Sequence, residues 1–128
     1  DGATLVIKEK IMTHGEQYAE TSFDVSLDGT GSSAKLISRS VARDHSRQLF
    51  RSKMNGNAAC YGHSECDAII MDQGIVAAEP EIVANFVDAS LVHEATIGKI
   101  AGDQLVKLMT LGLTEKEAEA QIINGFLK

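Results

Sequence analysis

Short runs of alternating apolar and polar residues, cut by turn signals roughly every 10 to 14 residues, fill residues 1–100 and confine the fold to those built from strands. Ala3 to Ile7 opens as an apolar strand. Phe23-Asp24-Val25-Ser26-Leu27 alternates with period two up to the turn Asp28-Gly29-Thr30-Gly31. Ala34 to Val41 precedes Asp44-His45-Ser46, and Gln48 to Met54 precedes Asn55-Gly56-Asn57. Cys66 to Met71 ends at Asp72-Gln73-Gly74, after which Glu81 to Val87 and Ser90 to Ile100 complete the series. This spacing suits a sandwich, a barrel or a parallel β-helix, and periodicity alone does not choose among them. No strict repeat is visible. Ser32, Ser33, Asn55, Asn57 and Asn85 recur at corners, where short polar side chains satisfy turn backbone, and this favours the β-helix.

After Gly102 the period becomes helical. Leu105, Leu108 and Met109 share one face, and Gly112 is placed to end that helix in a left-handed conformation. Thr114-Glu115-Lys116-Glu117 has the pattern of a capping box, so a second helix starts at Thr114 with Ala118, Ile122, Ile123 and Phe126 on its apolar face. The expected organisation is therefore a β core over residues 1–100 and a helical segment over residues 101–128. With 128 residues and 44% hydrophobic content the chain can support one modest core.

A net charge of -6 without a basic run argues against nucleic acid or an anionic membrane surface as partner. No stretch approaches the ~18 consecutive apolar residues of a membrane helix. Two cysteines are too few for a disulphide framework, so a reducing cytoplasmic compartment is expected, with a single disulphide as the alternative. The start at Asp1-Gly2 in place of Met leads to the expectation that the chain is part of something longer.

Two groups of residues could carry chemistry. One is Cys60, His63, Glu65, Cys66 and Asp67; the other is Asp88, His93 and Glu94. Thiolate and imidazole suit iron, zinc or an iron–sulphur cluster, and a carboxylate can add an oxygen ligand or hold an imidazole in one tautomer. The bland reading stands beside this one: Cys66 as an inert buried thiol, and His93 and Glu94 as strand neighbours facing opposite ways. In one strand Cys60 and Cys66 face the same side roughly 20 Å apart, so a joint site would need a bend at Tyr61-Gly62. His14, His45 and His63 read as surface or turn histidines, with His63 the best of them because it lies near Cys66. Arg39, Arg43, Arg47 and Arg51 read as outward charges. There is no P-loop, nucleophile elbow or HExxH helix.

The run Ser64-Glu65-Cys66-Asp67-Ala68-Ile69-Ile70-Met71-Asp72 and the run Leu91-Val92-His93-Glu94-Ala95-Thr96-Ile97-Gly98-Lys99-Ile100 resemble the carboxy-terminal signature of the SufB/SufD family of the SUF iron–sulphur assembly system. Asp103-Gln104-Leu105, Leu108 to Ala118 and Ile122-Ile123-Asn124-Gly125-Phe126 resemble that family's ending in order and spacing. Ser38-Arg39-Ser40 and Phe50-Arg51 match more loosely, and the whole resemblance runs from Ser32 to Lys128.

The resemblance implies a mainly β fold, a right-handed parallel β-helix fragment followed by a C-terminal helical hairpin. It also implies a non-enzymatic scaffold that pairs with a second SufB/SufD-like subunit or with itself as a homodimer, and docks a SufC-type ATPase. By the same resemblance Cys66 falls on the cysteine implicated in holding a nascent cluster, and His93 and Glu94 on the SufB His-Glu pair. A SufD-like chain would carry His-Gly there, so the chain looks closer to SufB. The cluster would be transient, with none expected in protein purified in air. Gly74 and Ala77 stand where many SufB proteins carry a second cysteine and a histidine, and the family's sulphur-accepting cysteine would lie before residue 1. The alternatives are a structural or interaction module without a cluster, and a mononuclear metal-binding protein.

Overall fold

In the computed structural model, which describes all 128 residues, the alternating runs become seven strands: β1 (Thr4–Thr13), β2 (Tyr18–Leu27), β3 (Ser32–Ala42), β4 (Arg47–Gly56), β5 (Cys60–Ile70), β6 (Ile75–Ala84) and β7 (Ala89–Gly98). They do not form hairpins. Odd strands join in one parallel sheet, β1-β3-β5-β7, and even strands in another, β2-β4-β6. The chain therefore winds as a parallel β-solenoid of about three turns, the β-helix among the architectures that the spacing left open. Thr4 pairs with Ser33, Ser33 with Tyr61 and Tyr61 with Ser90.

The repeat is written in the corners. Asn57 donates from Nδ2 to Asp28 Oδ1 at 2.6 Å, and Asn85 donates to Asn57 Oδ1 at 2.7 Å, across sequence separations of 29 and 28 residues. At a second corner the Gly15 N–H donates to Asp44 Oδ2 and the Asp44 N–H to Asp72 Oδ2. Asp44 and Asp72 both have φ 55°, a left-handed turn that aspartate tolerates better than branched residues do. One coil is thus 28 or 29 residues, fixed by stacked side chains whose identity varies from turn to turn.

Inward-facing residues divide the interior in two. Leu27, Ala34, Leu36, Met54 and Cys60 form an apolar cluster, with Ile7, Phe23, Val25, Ala89 and Leu91 packed against it. Beside it lies a polar region, with Val41, Phe50 and Cys66 among buried hydroxyls and an amide that hydrogen-bond to one another. Gln48 Nε2 donates to Thr13 Oγ1 at 2.9 Å and to the Val41 carbonyl at 3.0 Å, Ser38 donates to Glu9 at 2.9 Å, and the Ser52 and Ser64 hydroxyls lie 3.0 Å apart.

Four strands differ from the sequence reading by more than a residue or two; β1 runs on beyond Ile7 to Thr13, and β2 starts at Tyr18, ahead of Phe23. β5 begins at Cys60 rather than Cys66, because its first inward positions after Cys60 are Gly62 and Ser64, small groups without the apolar signal of a strand. β6 is Ile75–Ala84 rather than Glu81 to Val87. It runs through Pro80, which cannot donate to a ladder, and it is the edge strand of its sheet, where proline is tolerated.

Helices α1 (Gly102–Thr110) and α2 (Glu115–Phe126) follow. Gly112 has φ 96° just past α1, and the Glu117 N–H donates to Thr114 Oγ1 at 3.2 Å, half of the capping box. In α2, Ala118 and Ile123 are buried; α1 buries nothing and leaves Val106 and Met109 exposed, as is Leu111 beyond its end. Leu105 and Glu119 line a shallow cavity with Ile70, Met71 and Ile100 at the end of the β5 strand. Neither helix is long and apolar enough to cross a membrane.

Candidate functional site

Strand alternation decides what each candidate residue can reach. On β5, Cys60, Gly62, Ser64, Cys66 and Ala68 point inward and are buried, and the residues between them point out. The register places Ser64 beside His93, Glu65 beside Glu94 and Cys66 beside Ala95. Cys66 and His93 therefore share the inner face as diagonal neighbours, whereas Glu94 lies on the outer face. Both cysteines are free and buried, and they stand six positions apart on one straight strand.

Cys66 is 1% exposed. Burial, then the charges of Asp67 and Glu9, push its thiol up to about 11, so at neutral pH the thiolate is about one part in ten thousand. His93 is held below the usual histidine range, first by burial and then by His63, with Glu94 opposing. Both ring nitrogens of His93 are buried and lack a hydrogen-bond partner. A neutral imidazole with two unused nitrogens and a thiol on the same inner face are donor types suited to a soft or borderline metal.

That arrangement costs stability. Replacing His93 with leucine removes two unsatisfied polar atoms, and the His93→Leu variant is expected to be more stable by about 1–2 kcal/mol, read as a higher urea midpoint. The same change removes a pH dependence. A histidine whose folded pKa is depressed contributes stability above its unfolded pKa and loses it as pH falls below about 6.5, so the acid-side slope should flatten in the variant.

On the outer face, His63, Glu65 and Glu94 bring one ligand atom each to within 4.8 Å of one another. His63 Nε2 lies 3.8 Å from Glu65 Oε1. Asp67, next outward on β5, has its carboxyl raised by burial, by the charge of Glu65 and a hydrogen bond with it, and by Glu94, against the opposing Arg39. His63 is thus a strand residue and not a turn histidine. Its meeting with Glu94 depends on a contact one coil away, and the only sequence signal is His63 and Glu65 two apart in an alternating strand. Arg39 lies outward in β3, and Arg51, outward in β4, pairs with Glu20 at 3.5 Å and Glu79 at 2.9 Å, the role expected of these arginines.

Comparison with known proteins gives the same direction as this geometry. The family model described as "SUF system FeS cluster assembly, SufBD core domain" matches residues 1–126. A protein of Methanothermobacter thermautotrophicus named as an iron-sulfur cluster assembly SufBD family protein is 38% identical over 105 residues, covering 80% of this chain and 26% of the relative. Relatives with the same family name from Archaeoglobus fulgidus and Pyrococcus horikoshii are 31% and 33% identical, over 98% and 92% of this chain and 34% and 27% of their own lengths. The chain thus spans about a quarter to a third of these relatives. With a family model covering nearly every residue, and relatives of that family aligned over most of its length, the chain belongs to the SufBD core domain family of iron–sulphur cluster assembly.

Proposed function

We propose that this segment forms, within its full-length protein, part of a scaffold on which an iron–sulphur cluster is assembled and then released, with no turnover of its own. The cluster is cargo. Cys66 supplies a thiolate, His93 an imidazole nitrogen and Glu94 a hard oxygen for iron, as in a SufB-like chain. The observation that carries the reading is a buried thiol and a histidine with two unpartnered ring nitrogens on the same inner face, diagonal to each other across β5 and β7. Glu94 lies across the wall of the solenoid from both, so the three residues act on one cargo only at the strand edge. β7 is hydrogen-bonded on one side alone, as is β6, and a second subunit closing on that edge would complete the ligand set. A SufC-type ATPase would dock on the helices, where Val106, Met109 and Leu111 are exposed.

A second reading, an interaction module that carries no cluster, is favoured by one fact: Cys66 is almost wholly buried and holds its proton. Anaerobic reconstitution of the full-length protein with ferrous iron and sulphide separates the two. Wild type is expected to gain cluster absorption and bound iron, and Cys66→Ala and Glu94→Ala, still folded, to lose most of both. Equal behaviour of all three would leave the interaction module. Light scattering of the same protein, alone and with its cognate ATPase, tests pairing and docking.

A further inference from the structure

We propose that His63, Glu65 and Glu94 form a divalent-cation site on the outer wall of the solenoid, which shares Glu94 with the cargo site and does not use the thiol of Cys66 on the inner wall. Naming its ion as ferrous iron on the way to a cluster rests on the scaffold reading; the site itself does not.

Two strands build it. His63 and Glu65 stand two apart on the outward face of β5, and Glu94 is the register partner of Glu65 on β7. The backbone ladder therefore holds all three stems. Their ligand atoms lie within 4.8 Å of one another. An ion with bonds of about 2.1 Å sets adjacent ligands roughly 3.0–3.4 Å apart, so closure needs side-chain movement of about an ångström or two. Side chains 13% and 23% exposed, as those of His63 and Glu65 are, and a more exposed Glu94 retain that freedom.

Charge gives an independent argument. Like charges directly opposite on neighbouring strands are destabilising, yet Glu65 and Glu94 are direct partners. The same register row continues to Ile37 on β3 and Lys8 on β1, so an isoleucine separates the carboxylates from the lysine. Glu65 has only His63 within ion-pair distance, and Glu94 has no ion pair. A divalent ion cancels both carboxylate charges and takes the His63 nitrogen as a third ligand. One imidazole and two carboxylates, with further positions open to solvent, suit ferrous iron, cobalt, manganese or zinc.

The test is anaerobic titration of the full-length protein with cobalt(II), followed by its visible absorption, with ferrous iron as competitor. Wild type is expected to bind cobalt without a thiolate charge-transfer band at this site. Glu65→Gln, which keeps shape and removes charge, and His63→Ala should each weaken binding at least tenfold while circular dichroism is unchanged. The thiolate-free cobalt absorption of the outer site should persist in Cys66→Ala, whatever that variant loses on the inner wall. The proposal is overturned if wild type binds no cobalt, if Glu65→Gln and His63→Ala bind as tightly as wild type, or if Cys66→Ala abolishes binding. Failure of the scaffold reading looks different: no cluster forms in any variant, while cobalt binding still depends on Glu65 and His63.

Discussion

Binding of a thiophilic cation such as cadmium through Cys66 is expected to tighten about 100-fold between pH 6.5 and 8.5, one factor of ten per pH unit. The cause is the buried thiol. With its pKa pushed up to about 11, Cys66 is protonated throughout this range, and each metal bound there must displace one proton. His93 is held below the usual histidine range and is already neutral over most of the interval, so it adds little to the slope. The part of the thiolate-to-metal band that Cys66→Ala removes from wild type reports Cys66 and gives apparent affinity against pH. A flat profile would mean that Cys66 is ionised at neutral pH or does not bind the metal, and either would remove the basis for its role as a ligand. The comparison also bears on delivery. A neutral thiol protects itself from oxidation and stray metals, and becomes a strong ligand only where an ion arrives already held nearby.

Gly74→Cys is expected to destabilise the solenoid by about 3 kcal/mol, near the upper end of what overpacking does. A Cβ built on Gly74 would lie 2.5 Å from the Ala42 carbonyl oxygen and 2.9 Å from its carbon, both backbone atoms of the coil before. The corner cannot slide away. Ala42 O already accepts from the Met71 N–H at 2.8 Å, the Gly74 N–H donates to Met71 O at 3.0 Å, and Gln73 and Ile75 are bonded to Asp44 and Ser46 of the preceding turn. A lowered unfolding midpoint for Gly74→Cys, beside a small change for Gly98→Ala, where an added Cβ meets nothing within 4 Å, checks the argument. If Gly74→Cys is as stable as wild type, the corner is softer than its hydrogen bonds imply. The position at which many SufB-like chains are taken to carry a second thiol is therefore closed to one here by packing.

Much of this architecture can be read from residues, and the part that cannot has a local cause. Period-two alternation is clear where the inner face is apolar, as in Phe23, Val25 and Leu27, and it fades in β5, where Gly62 and Ser64 occupy the same face. Pro80 breaks the pattern of β6 on paper but not in the sheet, because an edge strand leaves one side of its backbone unused. The winding itself is invisible to periodicity. It is carried by Asp28, Asn57 and Asn85 stacked one coil apart; the polar corners at Asn57 and Asn85 favour a β-helix in sequence and the family resemblance implies one, but the 28- or 29-residue stacking itself is not visible there. The candidate residues can be named from sequence, but not their arrangement. Cys66, His93 and Glu94 could all be named, and neighbouring side chains in a strand were known to diverge. That His63 and Glu65 would join Glu94 on the outside, and His93 join Cys66 on the inside, needed the exact register of β5 against β7.

The one-sided pairing of β7 ties these two chemistries to a single motion. Strands bonded along one edge open at lower free energy than those bonded along both, and the backbone of β7 is hydrogen-bonded to β5 alone. When it lifts, Ser64 parts from His93 and Glu65 from Glu94 in the same event. Exposure of the inner thiol and dispersal of the outer carboxylates are then one coordinate, not two, and whatever clamps that strand controls both at once.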